Sequence, residues 1–263
     1  MSGGLRLLPL GTRGFIPTRG GQTMSFLVER EGAFLLLDAG SGVARLAEPG
    51  PAGRLAGAER LDVVLTHYHL DHVIGLSYLP GVARHLKVTI HAPAPPLTEA
   101  GPEAIERLIS PPLFPHRIAE WPMPTEVVAY RSGPLEIGPF ALEVRAQRHP
   151  GGSVGLRVGD SMAYVTDTVA DPATVAFVKD VDLLLHEVWL GDGEGASSAA
   201  ASGHSAAADV AEIAARARVR RVALVHHHPG RDAAALEALR ASIERRAGLP
   251  ARVLEEGVPL DVG

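Results

Sequence analysis

The sequence predicts a mixed α and β chain of the α+β class, and three observations carry that expectation. Short apolar runs rich in Val, Leu and Ile recur along the whole length, punctuated by Gly and Pro, and read as strands. Two late stretches, Ala206 to Arg218 and Asp232 to Ala247, space their apolar residues at helical intervals, with Val210, Ile213, Ala214 and Ala217 sharing one face of the first. The order is strands and then helices, twice over, and 46% apolar residues in a chain of 263 are enough to bury a sizeable core. We therefore expect one domain over 1–263, with two β-rich halves at about 1–124 and 125–263.

In chain order, Leu5 to Leu10 is a first strand, followed by two glycine-rich turns, Gly11-Thr12-Arg13-Gly14 and Arg19-Gly20-Gly21-Gln22. Neither turn has a Walker spacing, so both read as connections rather than phosphate loops. Met24 to Val28 and Phe34 to Leu37 form a hairpin around Glu29-Arg30-Glu31-Gly32, and the second strand ends at Asp38-Ala39-Gly40, where Asp38 could cap a turn. Leu46 to Arg60 is irregular with one short helix, Leu61 to Leu65 is a buried strand, and Lys87 to Ile90 is another, ending at His91, a structural or surface residue. Pro93 to Pro124 is dense in proline and holds one helical piece, Pro102 to Ile109. We read it as a lid or pocket wall carrying Phe114, His116 and Trp121, or else as a packed surface excursion. Glu126 to Tyr130, Leu135 to Ile137, Phe140 to Arg145, Val154 to Val158 and Ala163 to Thr166 are short strands, the last two joined at Gly159-Asp160. Val181 to Leu185 and Val222 to Val225 are buried strands, and Gly191 to Ser202 is small, polar and flexible.

Bulk properties exclude several classes of protein. A net charge of −5 argues against a globally basic nucleic-acid surface. The absence of cysteine removes both disulfides and thiolate ligands, so any metal must be held by histidine and carboxylate. The start, Met1-Ser2-Gly3-Gly4-Leu5-Arg6, lacks the apolar region of a signal peptide, and no run approaches the ~20 residues needed to cross a bilayer. A soluble cytoplasmic protein with no membrane partner is expected.

The most informative stretch is Thr66-His67-Tyr68-His69-Leu70-Asp71-His72, directly after the apolar run Val63-Val64-Leu65. His67 and His69 are two apart and project to the same side of extended backbone. Asp71 and His72 follow where the chain bends, ahead of a helix from about Val73. Two imidazoles at one point, with a carboxylate and an imidazole beside it, suit two metal ions, and this donor set favours zinc, manganese or iron. The alternative is a polar loop that happens to be rich in histidine. A ligand type also recurs at the C-terminal end of later strands, at His149, Asp167, His186 and His226, and more loosely at His204.

This His-x-His-x-Asp-His motif, with a strand before it and a helix after, resembles that of the metallo-β-lactamase superfamily of dinuclear metal hydrolases. The resemblance implies a four-layer αββα sandwich and an Asp-x-Gly turn, here Asp38-Ala39-Gly40, beside the metal pocket. It implies a first site of His67, His69 and His149, a second of Asp71, His72 and His226, and Asp167 as the carboxylate shared between them. A bridging acid suits metals ~3.5–4 Å apart, because a histidine has no comparable second lone pair. Asp167 could instead make turn hydrogen bonds, and His227 or His228 could contact substrate or solvent. The cofactors implied are two divalent metal ions, zinc first, with manganese or iron as alternatives. The nucleophile is a water whose pKa falls towards ~7 between them, with Asp71 orienting it and accepting its proton.

His186-Glu187 after a strand and Gly203-His204-Ser205 before a helix are similar to the corresponding stretches of ribonuclease Z and its relatives. That branch implies that His204 stabilises or protonates the departing oxygen and that Glu187 orients the ring. The alternative for His204 is a surface position beside a capping Ser205. Ribonuclease Z carries a long basic arm for tRNA, whereas no Lys/Arg-rich insertion is seen here, and RNA binding needs several cations. We therefore expect a small-molecule or cyclic phosphodiester, its oxygens met by Arg13, Arg19 or Arg148, with nucleic acid not favoured. Dimers are common in the branch, so a homodimer is expected. The rivals are a thioesterase or lactonase of the same fold, a tRNA 3′-processing endonuclease, and a metal-binding protein without catalysis.

Overall fold

The structure, a computed structural model, describes residues 4–194 and 202–263; the stretch 195–201, expected to be flexible, lies outside the described residues. Its strands are β1 (Leu5–Gly11), β2 (Ser25–Arg30), β3 (Ala33–Leu37), β4 (Arg60–Val64), β5 (Lys87–Pro93), β6 (Thr125–Tyr130), β7 (Gly133–Ile137), β8 (Phe140–Gln147), β9 (Ser153–Val158), β10 (Met162–Val165), β11 (Leu183–Glu187), β12 (Val222–Val225), β13 (Ala251–Val253) and β14 (Leu260–Val262). The α-helices used below are α1 (Pro49–Leu55), α2 (Leu70–Val73), α3 (Leu79–Val82), α4 (Glu103–Leu108), α5 (Thr174–Phe177), α6 (Ala207–Ala217) and α7 (Ala233–Ala247).

Two seven-stranded sheets are formed, in the orders β14-β1-β2-β3-β4-β5-β6 and β13-β12-β11-β10-β9-β8-β7. Alternation along the strands assigns their side chains to layers. Leu35 and Leu37 of β3 face inward with Leu5, Phe26 and Val28, meeting Phe140, Leu142, Leu156 and Tyr164 of the other sheet. Phe26 and Tyr164 touch edge to face across this layer, centroids 5.4 Å apart. Leu36, Val63 and Ile90 point the other way, onto Leu55 of α1, Leu79 of α3 and Ile105 of α4. On the second sheet Leu184, Val222 and Leu224 pack against Val210, Ile213 and Ala214 of α6 and Leu236 and Ile243 of α7. Each such buried aliphatic side chain contributes about 1.5–3 kcal/mol. Helices thus cover both outer faces, and the αββα sandwich is the architecture observed.

The structure differs from expectation in four places. The sheets do not divide the chain at residue 124: β6, expected in the second half, pairs parallel with β5, and β14 returns to pair antiparallel with β1. Neither β13 nor β14 was expected, because three-residue edge strands carry too little periodicity to read. Between Asp71 and His72 and the preceding loop there is no bend before a helix from Val73; α2 begins at Leu70 and carries both on its first turn, after an extended His69. β11 runs two residues later than expected, which brings His186 and Glu187 into the ladder opposite Leu224 and Val225.

That last register decides which of the pair reaches the site. Glu187 shares the inter-sheet face with Leu183 and Leu185, whereas His186 shares the helix face with Leu184. In the proline-dense segment, Trp121 is buried against the first sheet with Phe114 beside it, and His116 is exposed. The segment's start, however, walls the site: Glu99 N–H donates to Gly151 O at 2.9 Å, and a Cβ at Gly152 would lie 2.4 Å from Leu97 O. No helix among the described residues is long and apolar enough to cross a membrane.

Candidate metal centre

The C-terminal ends of the strands converge on one rim of the sandwich. Asp38 follows β3, His67 follows β4, His149 follows β8, Asp167 follows β10 and His226 follows β12, while Glu187 ends β11. His67, His69, His149 and Asp167 bring one ligand atom each within 4.8 Å of one another, as do Asp71, His72 and His226. Asp167 joins the two groups: Oδ1 lies 3.5 Å from His149 Nε2 and 3.3 Å from His226 Nε2, and Oδ2 lies 3.1 Å from His72 Nε2. Asp71 Oδ2 stands 3.3 Å from His226 Nε2 and 3.5 Å from His72 Nε2.

Second partners fix which ring nitrogen each histidine presents. Asp38 accepts from Thr66 N–H at 2.7 Å, from the Thr66 hydroxyl, from His72 Nδ1–H at 2.8 Å and from the Tyr164 hydroxyl at 2.8 Å. With its proton given to Asp38, the Thr66 oxygen accepts from His67 Nδ1–H at 3.0 Å. His149 Nδ1–H donates to Gly203 O at 3.0 Å. Donation from Nδ1 thus directs Nε2 of His67, His72 and His149 inward, the nitrogen each would offer to a cation. His67 Nε2 and His72 Nε2 are buried without a hydrogen-bond partner, and His69 Nδ1 faces His149 Nε2 at 3.2 Å. Buried lone pairs aimed at one another are what a cation satisfies, so the residues present fit divalent metal.

Backbone strain concentrates at the same rim. Asp38, Asp167 and His226 have φ of +55°, +49° and +53°, each costing about 1 kcal/mol or more for a non-glycine residue. Gly14 packs flat on the His226 ring, where an added Cβ would fall 2.5 Å from Cε1, and its N–H donates to His227 O. The next residue, Phe15, donates its N–H to Asp71 Oδ2 at 2.7 Å.

The charge pattern follows from burial and neighbours. Burial works against ionisation of Asp167, but the imidazoles of His226, His72 and His67 hold its carboxyl well below the usual range. His72 and His226 do the same for Asp71. His72 is raised despite its burial by Asp167, Asp71 and Asp38, whereas burial and His72 together push His67 down. Burial and Asp167 push Glu187 up, and burial pushes His204 down.

His204 stands beside the ligands. Its Nδ1 is 2.7 Å from Glu187 Oε2, and its other nitrogen is left to face Asp167 and His226, with which it groups. Ser205 does not cap α6, since its hydroxyl donates to Thr168 O at 2.7 Å. Trp189, which the sequence reading passed over, stacks on His204 with centroids 4.6 Å apart and 21° between planes. Its only signal was its place two residues after Glu187.

Other expected residues lie elsewhere. His186 donates from Nδ1 to Glu187 O, away from the cluster. His227 is buried, which lowers it to about 3, and His228 packs edge-on against Trp189. His91 pairs with Asp62 at 2.8 Å, in keeping with its structural reading. Of the candidate phosphate contacts, Arg13 reaches Arg231 O, Arg148 reaches Ala170 O, and Arg19 is exposed on the second glycine-rich turn.

Comparison with known proteins agrees with this geometry. The family described as the beta-lactamase superfamily domain matches residues 34–227. A protein named ribonuclease Z from Methanosarcina acetivorans is 27% identical over 84% of this chain and 87% of its own. A probable metallo-hydrolase, YhfI, from Bacillus subtilis is 28% identical over 84% of this chain and 86% of its own. The solved structure of the metallo-beta-lactamase fold protein YhfI superposes with a TM-score of 0.78 at 21% identity, covering 98% of this chain and 99% of that one.

Proposed function

The chain belongs to the metallo-β-lactamase superfamily, in its ribonuclease Z-like branch, and from that premise we propose that it is a dinuclear metal-dependent phosphodiesterase acting on a small or cyclic phosphodiester. A metal-dependent hydrolase is what the family makes of it. The observation that carries the finer reading is the His204–Glu187 pair, 2.7 Å apart, set against the carboxylate common to both ligand groups.

His67, His69 and His149 would hold one divalent ion and Asp71, His72 and His226 the other, with Asp167 serving both; zinc is our first choice, manganese or iron the alternatives. Such ions supply a water nucleophile that ionises near neutral pH and polarise the scissile phosphoryl group. Asp71 Oδ2, kept ionised and fixed by the Phe15 amide, accepts the nucleophile's proton. His204 gives a proton to the leaving oxygen from Nε2. Glu187 stands 2.7 Å from the opposite ring nitrogen, Nδ1, and so orients the ring. Thr168 N–H in turn holds Glu187, at 2.6 Å from Oε1. An alkoxide leaving phosphorus needs such a donor more than a thiolate does, which favours a diester over a thioester.

The name ribonuclease Z carried by several relatives supports RNA as the rival substrate. Against a polynucleotide stand the net charge of −5 and the engagement of nearby arginines: Arg231 with Glu194, Arg45 with Glu256 and Arg145 with Asp171. We place the protein in the cytoplasm as a homodimer. The test is a panel of bis-p-nitrophenyl phosphate, 2′,3′-cyclic nucleotides, pre-tRNA, an acyl thioester and a lactone, assayed with zinc-, manganese- and iron-reconstituted protein. The small diesters should dominate; faster turnover of the thioester or lactone overturns the reading, and cleavage of pre-tRNA alone transfers it to RNA.

A further inference from the structure

Phe15 combines three properties that do not belong together in a structural residue. Its φ of +66° is a conformation in which a bulky side chain is strained and glycine is not. The residue is 70% exposed, so burial does not offset that strain. Its N–H is committed to Asp71 Oδ2 at 2.7 Å, which fixes the residue at the edge of the metal centre. Ile16 beside it and Leu70, between His69 and Asp71, are also exposed, Leu70 at 64%. Leu113, exposed at 72%, shares a groove with Leu70 and Tyr68. Three of the six large apolar side chains exposed among the described residues, Phe15, Ile16 and Leu70, thus sit on the two segments that meet at Asp71, and Leu113 adjoins Leu70.

We propose that Phe15 is a specificity-determining residue, and that the substrate is a phosphodiester with an aromatic ester arm, which lies against the Phe15 ring while the phosphoryl group occupies the metal centre. The inference rests on the phosphodiesterase reading and extends it. A ligand group that is anionic at one end and apolar at the other matches a centre with cationic ions beside an apolar rim. A bare sugar-phosphate backbone offers no aromatic face to the exposed Phe15 ring, whereas an aromatic ester arm does. The left-handed backbone aims the ring outward because the amide must point inward to Asp71, so one residue serves the ligand with its main chain and the substrate with its side chain.

The test uses binding, so that it is separate from the turnover panel. Zinc-loaded protein is titrated calorimetrically with benzylphosphonate and methylphosphonate, neither of which can be hydrolysed. The wild type should bind the benzyl compound about tenfold more tightly, the size of an aromatic contact. In Phe15→Gly and Phe15→Asn, both of which tolerate positive φ, that preference should fall to within about twofold. A preference that survives in both variants, a wild type that does not distinguish the two ligands, or failure of the benzyl compound to bind overturns the proposal. Failure of the phosphodiesterase reading is seen separately, as absence of diester turnover in the panel.

Discussion

Asp38→Asn isolates the chemistry of the carboxylate that holds the His67–His72 segment. The backbone is not disturbed, since asparagine tolerates the φ of +55° found there. Both oxygens of Asp38 act only as acceptors, for the Thr66 amide, the Thr66 hydroxyl, His72 Nδ1–H and the Tyr164 hydroxyl. The two hydroxyls can rotate to accept from an amide group, but the Thr66 N–H and the imidazole cannot. If the asparagine oxygen stays on Thr66, its NH2 meets His72, which must either clash or move its proton to Nε2, the nitrogen turned towards Asp167 at 3.1 Å. If the amide is flipped, a fixed donor meets a donor, at about 1–3 kcal/mol. Loss of such an orienting partner lowers metal affinity by about 10- to 100-fold. Competition with a chromophoric chelator should therefore show one of two zinc ions weakened by that factor, with thermal melting of the metal-free protein little changed if the His72 tautomer absorbs the substitution. Two zinc ions bound with wild-type affinity would refute the reasoning.

Further outcomes follow from other contacts. His204→Ala should lower kcat for a 2′,3′-cyclic nucleotide, which expels an alkoxide, by about 10²–10⁴-fold and Glu187→Gln by less, whereas bis-p-nitrophenyl phosphate, whose phenolate leaves without a donor, should be much less affected and metal content by atomic emission unchanged. Gly14→Ala places a methyl 2.5 Å from the His226 ring, so either the ring or the loop must move; the weaker zinc ion should be lost on dialysis, whereas Gly50→Ala, in open space, should retain it. Asp62 is buried, yet its hydrogen bonds to His91 and Arg60 hold its carboxyl below the ordinary aspartate value. Its contribution to stability is thus present above that ordinary value and lost as the pH falls through the depressed one. Urea midpoints measured from pH 6 downward should fall less steeply in Asp62→Asn.

What could be read from the sequence was local. The His67–His72 motif lies within one short segment after an apolar strand, so spacing alone gave a metal-binding expectation. Distances between segments were supplied by the resemblance, and the structure brings His149, Asp167 and His226 to that segment. The reading fell short where a role depends on another strand's register. Glu187 and His186 are neighbours in sequence, but alternation sends one to the inter-sheet face and the other to the helices. Asp38 could be placed beside the pocket, but its four donors come from Thr66, His72 and Tyr164, up to 126 residues away. Phe15 gave no signal and Trp189 only its place after Glu187, since a lone aromatic in a loop or at a strand end is usually packing. Edge strands β13 and β14 were too short to be periodic.

The return of β14 to β1 has a bearing on how the molecule is made. Leu5 pairs with Val262, and Glu256 near the same end accepts from Thr12 and Gln22 on the two loops that flank Gly14 and Phe15. A ribosome must therefore release the chain through Glu256 before those loops can be held in place. Until then the N-terminal strands lack an edge partner, and the ligands from the early segment wait for those made last. The loops behind the metal centre are thus completed by a segment made about thirty residues after His226, and truncation near residue 256 should cost ion retention well before it costs secondary structure.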